Sequence, residues 1–433
     1  MQTFGCWVTS RPISGGPVRK SWIEDVDEIA RETEKRRLSG RIHILGMGNI
    51  GTFVAHSLAR GTSPPPITLL LHNTDLYRHW LATKGCLSIS SNGLDDIRTG
   101  FDINVLHDDT WYSLPYWDGS RPRELPSNSD TASEKEIEEQ VTRSEQDDEK
   151  IECLIVTVKA PQTVRALKSV SHRLTPESTV LFLQNGMGII DEVNEKVFPH
   201  PYERPNYMLG IISHGLFRQV PFKVAHAGIG TTILSPVPSR ALTAVEKQDD
   251  DWAPSTKYLL RTLTLTAPLV AVAETPTALL QYQLEKLAMN AVINPLTVLM
   301  DCENGELLYN YPITRAMRLL LIEISTVICS LPELQGVPGV QNRFAADRLR
   351  HMAVQLAQKT AENTSSMLQD VRRGQQTEVE YINGYIIRRG EELGIKCAVN
   401  YLIKQLVIAK SDMVTQRQAG AVPFDLSGLE DED

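Results

Sequence analysis

The stretch Arg41-Ile-His-Ile-Leu-Gly46-Met47-Gly48-Asn49-Ile50-Gly51-Thr-Phe-Val-Ala-His-Ser-Leu-Ala59 decides the fold of this chain. A short, mostly apolar run that reads as a strand leads straight into G-x-G-x-x-G, and small and apolar residues then line one face of a helix. Gly46 permits the tight turn, Gly48 lets backbone approach a pyrophosphate, and Gly51 allows close helix–strand packing. The helix N-terminus adds free N–H groups and the positive end of its dipole. Alone, the glycine spacing is a weak signal. Between a strand and a helix it predicts that the turn Gly46-Met47-Gly48-Asn49-Ile50-Gly51 holds a dinucleotide.

Working outward, the apolar runs Ile42–Leu45, Ile67–Leu71, Cys153–Val158, Thr179–Leu183 and Met208–Ser213 alternate with helix-length segments. That is the pattern of a doubly wound parallel sheet. From Pro276 onward the periodicity becomes helical, with clear segments over Gln341–Arg373 and Glu378–Leu393, the latter ended by Gly394. Thr377 and Glu380 read as a capping box. The expected architecture is an α/β, Rossmann-type dinucleotide-binding domain over 41–275 and an all-α domain over 276–415. Residues 1–40, the acidic stretch 117–150 and the acidic tail 416–433 carry too few aliphatics to offset the entropy of ordering and are expected to be disordered.

Composition narrows the function. Of 433 residues, 42% are hydrophobic and 22% charged, the balance of a globular protein, and the net charge of −9 argues against a nucleic-acid surface. The most apolar run, Leu319–Leu331, is shorter than a membrane span and is broken by Glu323. The six cysteines show no C-x-x-C pair, and no histidine cluster has metal-ligand spacing; we read reduced thiols and expect no metal. The first twenty residues contain Arg11, Arg19, Lys20 and no acid. They have the bias of a mitochondrial targeting segment without its amphipathic period, so a cytoplasmic protein is the preferred reading and a mitochondrial one the alternative.

Two patches carry chemistry. In Glu285-Lys286-Leu-Ala-Met-Asn290-Ala-Val-Ile-Asn294-Pro295, an otherwise apolar helix places Lys286, Asn290 and Asn294 on one face at i, i+4 and i+8. The stripe is either a structural network or a substrate site, because a lysine in a dry setting has a lowered pKa and suits proton delivery to a developing alkoxide. The second patch runs from Asn363 through Ser366 to Asp370 and on to Glu378, an acid in a first helical turn that is by itself more often structural. After the second strand, where an acid would select NAD(H) and an arginine NADP(H), the chain reads His72-Asn73-Thr74-Asp75. Asp75 lies too far along, and Arg78 reaches back only if the loop folds that way, so cofactor choice stays open on these residues.

Together, G-M-G-N-I-G at 46–51, T-V-K-A-P-Q-T at 157–163, L-Q-N-G-M-G at 183–188, K-L-A-M-N-A-V-I-N-P-L at 286–296, N-G-E-L at 304–307, S-S-M-L-Q-D-V at 365–371 and T-E-V-E-Y-I-N-G at 377–384 resemble the ketopantoate reductase family. They occur in the family's order between Arg41 and about Lys410. The resemblance implies reduction of 2-dehydropantoate to pantoate, for pantothenate and coenzyme A, by NADPH. Lys286 would be the general acid and a substrate contact, with Asn290, Asn294, Asn304 and Ser366 completing the substrate set. Asn185 and Lys159 would contact the cofactor, Lys159 at the adenosine phosphate, and Glu378 would stand at the cofactor–substrate junction. Asn73 replaces the family's phosphate-binding arginine, which weakens NADP(H) against NAD(H), and Ala398 replaces a family proline. The resemblance also allows a homodimer. The alternatives are a paralogous reductase of another small 2-oxo acid and a catalytically silent dinucleotide-binding regulator.

Overall fold

The structure is a computed structural model that describes residues 38–116, 134–238 and 252–420. The chain divides into a unit over Met1–Ser39 and one over Gly40–Asp433, and every element described belongs to the second. Its sheet begins with β1 (Ile42–Leu45), followed by α1 (Asn49–Leu58), β2 (Ile67–Leu71) and α2 (Thr74–Ala82). The hairpins β3 (Leu87–Ser91) with β4 (Leu94–Arg98), and β5 (Asp102–His107) with β6 (Thr110–Leu114), come next. Then follow α3 (Glu134–Thr142), β7 (Glu145–Gln146), β8 (Cys153–Val156), α4 (Thr163–Val170), β9 (Thr179–Phe182), α5 (Ile189–Lys196) and β10 (Asn206–Ile212). The half closes with β11 (Gly215–Val220), β12 (Lys223–Gly228), β13 (Thr232–Pro236), α6 (Pro254–Leu265) and β14 (Ala271–Ala273).

The main sheet runs β14-β13-β10-β9-β8-β1-β2-β5-β6-β7. Its centre, from β10 to β5, is parallel. β1, β2, β8 and β9 are buried at every position, which is why they read as mostly apolar runs, with His43, Thr68 and Thr179 the buried polar exceptions. Separate apolar cores cover the two faces, one around Phe53, Leu69 and Ile155, the other around Leu154, Val180 and Phe182. A second sheet, β11-β12-β3-β4, lies beside α1, where His56 Nε2 meets the Asp96 carbonyl at 2.8 Å.

Helices make up the remainder: α7 (Pro276–Met300), α8 (Tyr311–Cys329), α9 (Val340–Arg343), α10 (Ala346–Lys359), α11 (Ser366–Arg372), α12 (Val379–Glu392) and α13 (Ala398–Gln418). Thr275 caps α7 by accepting the Ala278 N–H, and Gly394, at φ +70°, follows the end of α12. The charge that interrupts the apolar run of α8 is used: Glu323 accepts the Val399 and Asn400 N–H groups at the start of α13, each at 2.9 Å.

Three sequence expectations need correction. The stretch 117–150 is not uniformly disordered. Residues 117–133 lie outside the described residues, but α3 buries Ile137 and Val141, and β7 pairs with β6. Beyond them, Asp147 meets Arg173, whose side chain is 0% exposed, at 2.9 Å. Two aliphatics four residues apart and one buried ion pair order this end, and average composition hides both. The tail reading starts too early, since α13 continues to Gln418; residues 421–433, like 1–37, lie outside the described residues. The capping box does not form: Glu378 itself occupies the cap position of α12, without a side-chain cap bond, and Glu380 pairs instead with Lys404 at 3.0 Å.

Candidate active site

β1 lies between β2 and β8, so the connections leaving it diverge, and a crevice opens outside the carboxyl ends of the strands. The glycine turn lines that crevice. A Cβ on Gly46, at φ +108°, would lie 2.5 Å from Val158 N, and one on Gly51 would lie 2.0 Å from the Gly46 carbonyl oxygen, so packing requires both glycines. At Gly48 a Cβ would meet nothing within 4 Å among the described residues. The protein itself gives no reason for glycine there, whereas a diphosphate resting on the turn does. This cradle, at the start of α1, fits a dinucleotide. The Asn49 side chain is turned away, donating to the Leu216 carbonyl at 3.3 Å.

At the ribose end, Asn73 caps α2 by accepting the Leu76 N–H at 2.8 Å. Arg78 does not reach back to it and pairs with Asp75 at 2.6 Å. Lys159, in the loop after β8, has its ammonium in contact with Asp370 of α11. The lysine assigned by resemblance to the adenosine phosphate is therefore engaged with the helical half.

That half brings its charges to the loop after β8, which backs the glycine turn through Val158. The Glu378 carboxylate, 7% exposed, accepts the Ala160 N–H at 3.3 Å through Oε1 and the Asn185 amide at 3.2 Å through Oε2. Burial raises its pKa above the ordinary glutamate value, while the two hydrogen bonds and Lys159 pull it down. On α7, Lys286 donates to the Ile212 carbonyl at the end of β10, at 2.8 Å. Burial pushes its ammonium down to about 8, and the attraction of Glu378 works the other way. The result is a proton donor poised near neutral pH beside an acid, at the mouth of a dinucleotide cradle.

Asn290 shares a narrow crevice with Lys286, Gln283, Asn185 and Gly210. Asn294, one turn further along α7, is buried. Asn304 and Ser366 have other surroundings. The Asn304 amide donates to Thr360 at 3.0 Å, tying down the turn before α11, and its buried Oδ1 has no partner among the described residues. Ser366 is exposed at the first position of α11, where Ser365 does the capping and meets Thr297 at 2.7 Å. Sequence reasoning placed Asp370 in the second patch without giving it a role, and it missed the Ala160 N–H, the Ile212 carbonyl and Gln283. The two backbone groups have no residue-type signal.

Comparison with known proteins agrees with this geometry. Residues 122–239 match the profile described as "Ketopantoate reductase PanE/ApbA", and 278–411 match "Ketopantoate reductase PanE/ApbA C terminal". A probable 2-dehydropantoate 2-reductase of Schizosaccharomyces pombe is 33% identical over 366 residues, 84% of this chain and 94% of that one. A ketoisovalerate reductase of Gibberella fujikuroi is 28% identical, over 80% and 77% of the two chains. Among solved structures, D-mandelate dehydrogenase with NADH and anilino(oxo)acetate superposes with a TM-score of 0.62 at 17% identity, over 86% of this chain and 99% of that one, a likeness of fold. Among the described residues, no helix is long and apolar enough to cross a membrane.

Proposed function

Because the chain belongs to the ketopantoate reductase family and is a nicotinamide-dependent oxidoreductase of the 2-dehydropantoate 2-reductase type, we propose that it reduces 2-dehydropantoate to pantoate with NADPH, for pantothenate and coenzyme A synthesis. The observation that carries this is the Lys286 ammonium, held on the Ile212 carbonyl in a crevice shared with Asn185, whose amide donates to Glu378.

When bound, a reduced nicotinamide would supply the hydride for the carbonyl carbon of the substrate. Lys286 supplies the proton to the carbonyl oxygen. One of its three N–H bonds is spent on Ile212, which fixes the head group and leaves two for substrate. With a pKa of about 8 it is mostly protonated at pH 7, yet it parts with a proton far more easily than an exposed lysine. Glu378 offsets the charge of the ammonium, and Asn185 holds Glu378 in place. Asn290 and Asn294 offer amides to the terminal hydroxyl of 2-dehydropantoate, and Ser366 and Asn304 complete the set toward the carboxylate. Gly46, Met47, Gly48, Asn49, Ile50 and Gly51 present backbone to the diphosphate, with Asn73 at the ribose.

For the donor, the resemblance supports NADPH. Asn73, neutral and occupied as a helix cap, supports NADH as the alternative. For the substrate, the likeness to a ketoisovalerate reductase supports a second reading, a small 2-oxo acid without the terminal hydroxyl. One assay separates these: cofactor oxidation with NADPH and NADH, each with 2-dehydropantoate and with 3-methyl-2-oxobutanoate. We expect kcat/KM to favour NADPH and the hydroxylated acid; preference for the other acid refutes the substrate assignment. Lys286→Ala should lower kcat by roughly 10²–10⁴ with cofactor affinity nearly intact.

A further inference from the structure

The two acids that the helical half presents to the α/β half converge on one dipeptide. Asp370 lies on α11 and Glu378 at the cap of α12. The turn between them is tight: the Gln375 N–H donates to the Asp370 carbonyl at 2.9 Å, and Gly374, at φ +63°, lies against Gln418 of α13. Gln418 also holds the Arg372 carbonyl at 3.1 Å. The spacing of the two carboxylates is thus set within the helical half. Opposite them stand consecutive residues of the loop after β8. The Lys159 ammonium meets Asp370, and the Ala160 N–H meets Glu378. The same loop backs the glycine turn through Val158.

From this geometry we propose that Asp370 is a positioning residue of the reductase: its ion pair with Lys159 clamps the Lys159–Ala160 peptide against the helical half and so sets the Glu378 and Lys286 groups in register with the dinucleotide cradle. The proposal rests on the functional reading above. Asp370 is 6% exposed, and the charged groups that act on it are Lys159 and Arg373, with Glu378 as the neighbouring acid. A buried carboxylate with so few partners is costly unless the ion pair holds. Lys159, about a third exposed, is held by Asp370 alone among the described side chains that bond its ammonium. Loss of the pair would free the loop without removing any group that touches substrate.

Two measurements test this, one independent of turnover. In the ligand-free enzyme, Asp370→Asn should speed amide exchange over residues 160–163 roughly tenfold while exchange in α8 and α10 stays unchanged. In turnover, Asp370→Asn should lower kcat by about 10–10²-fold, the order expected when reacting groups drift by part of an ångström, with KM for the 2-oxo acid within about twofold. Lys159→Met should produce the same exchange change, the double variant should be no worse than either single one, and Asp370→Glu should recover part of the loss. Unchanged exchange at 160–163, or additive losses in the double variant, would overturn the clamp. If Asp370→Asn does not fold, Lys159→Met, altered from the more exposed side, reads the same contact. A wild-type enzyme inactive on 2-dehydropantoate would sink the substrate assignment, while the exchange result would still decide the clamp.

Discussion

Replacing Lys286 by Met should lower kcat by roughly 10²–10⁴ and at the same time remove a pH dependence of stability that the lysine imposes. Burial takes its pKa from 10.5 to about 8, and at about 1.4 kcal/mol per pKa unit the charged head group works against the fold by about 3 kcal/mol. The sign follows from proton binding. Between pH 8 and 10.5 the unfolded chain keeps a proton on this lysine that the folded chain has released, so the penalty is full below pH 8 and fades as pH rises. Between pH 7 and pH 10 this one group should raise the wild-type free energy of unfolding by about 2.5 kcal/mol, and Lys286→Met should lack that gain. At pH 7 the variant should be the more stable by about 2 kcal/mol, after about 1 kcal/mol is subtracted for the lost bond to the Ile212 carbonyl. Urea unfolding of both proteins at pH 7 and pH 10 measures the difference of differences, in which other titrating groups cancel. Equal pH dependence in the two proteins would refute the reasoning, because the ammonium would then be as well solvated in the fold as in the unfolded chain.

In catalysis, kcat/KM for reduction should fall above about pH 8 as Lys286 loses its proton, and Glu378→Gln should move that limb to lower pH, because the acid holds the lysine pKa up. A limb that stays in place would disconnect the two groups. Gly48→Ala should leave the melting temperature unchanged and weaken dinucleotide binding measured by calorimetry, since its Cβ meets only the space left for ligand. Gly46→Ala, at φ +108° and 2.5 Å from Val158 N, should destabilise the fold outright, by at least ~1–3 kcal/mol. Asp147→Ala should lower the free energy of unfolding by ~3–5 kcal/mol, because it strands the fully buried Arg173 guanidinium. Removing residues 117–150, which composition alone would call harmless, should destabilise by the same route.

Much of the crevice was legible in the chain. Gly46, Gly48 and Gly51 are an answer to backbone sterics at one strand–turn–helix junction, so their meaning is local. Lys286, Asn290 and Asn294 share a face because the helical period requires it, and a lysine on an apolar helix is already a desolvation problem. Asn73 was harder: its absence of charge was readable, but its employment as the cap of α2 depends on where the preceding strand ends. Lys159 was assigned by resemblance to a phosphate, and the fold gives its ammonium to Asp370. Asn304 was assigned to substrate, and one of its two amide N–H bonds goes to Thr360. In both cases residue type revealed a polar group in need of a partner, and tertiary contact chose which one.

By itself the sequence determined the layering of the protein, a parallel sheet followed by helices, and the identity of the groups with chemistry to offer. Those follow from periodicities of two and 3.6 residues, from turn sterics and from side-chain type, all of which act over a few neighbouring positions. Only the tertiary structure decided that Glu378 would meet the Ala160 N–H and Asn185 across 218 and 193 residues of chain, that Lys286 would donate to the Ile212 carbonyl, and that Asp370 would hold Lys159. Such contacts join backbone groups and charges from elements remote in sequence. Burial then sets their energies, and burial belongs to the packed molecule rather than to any one segment of it.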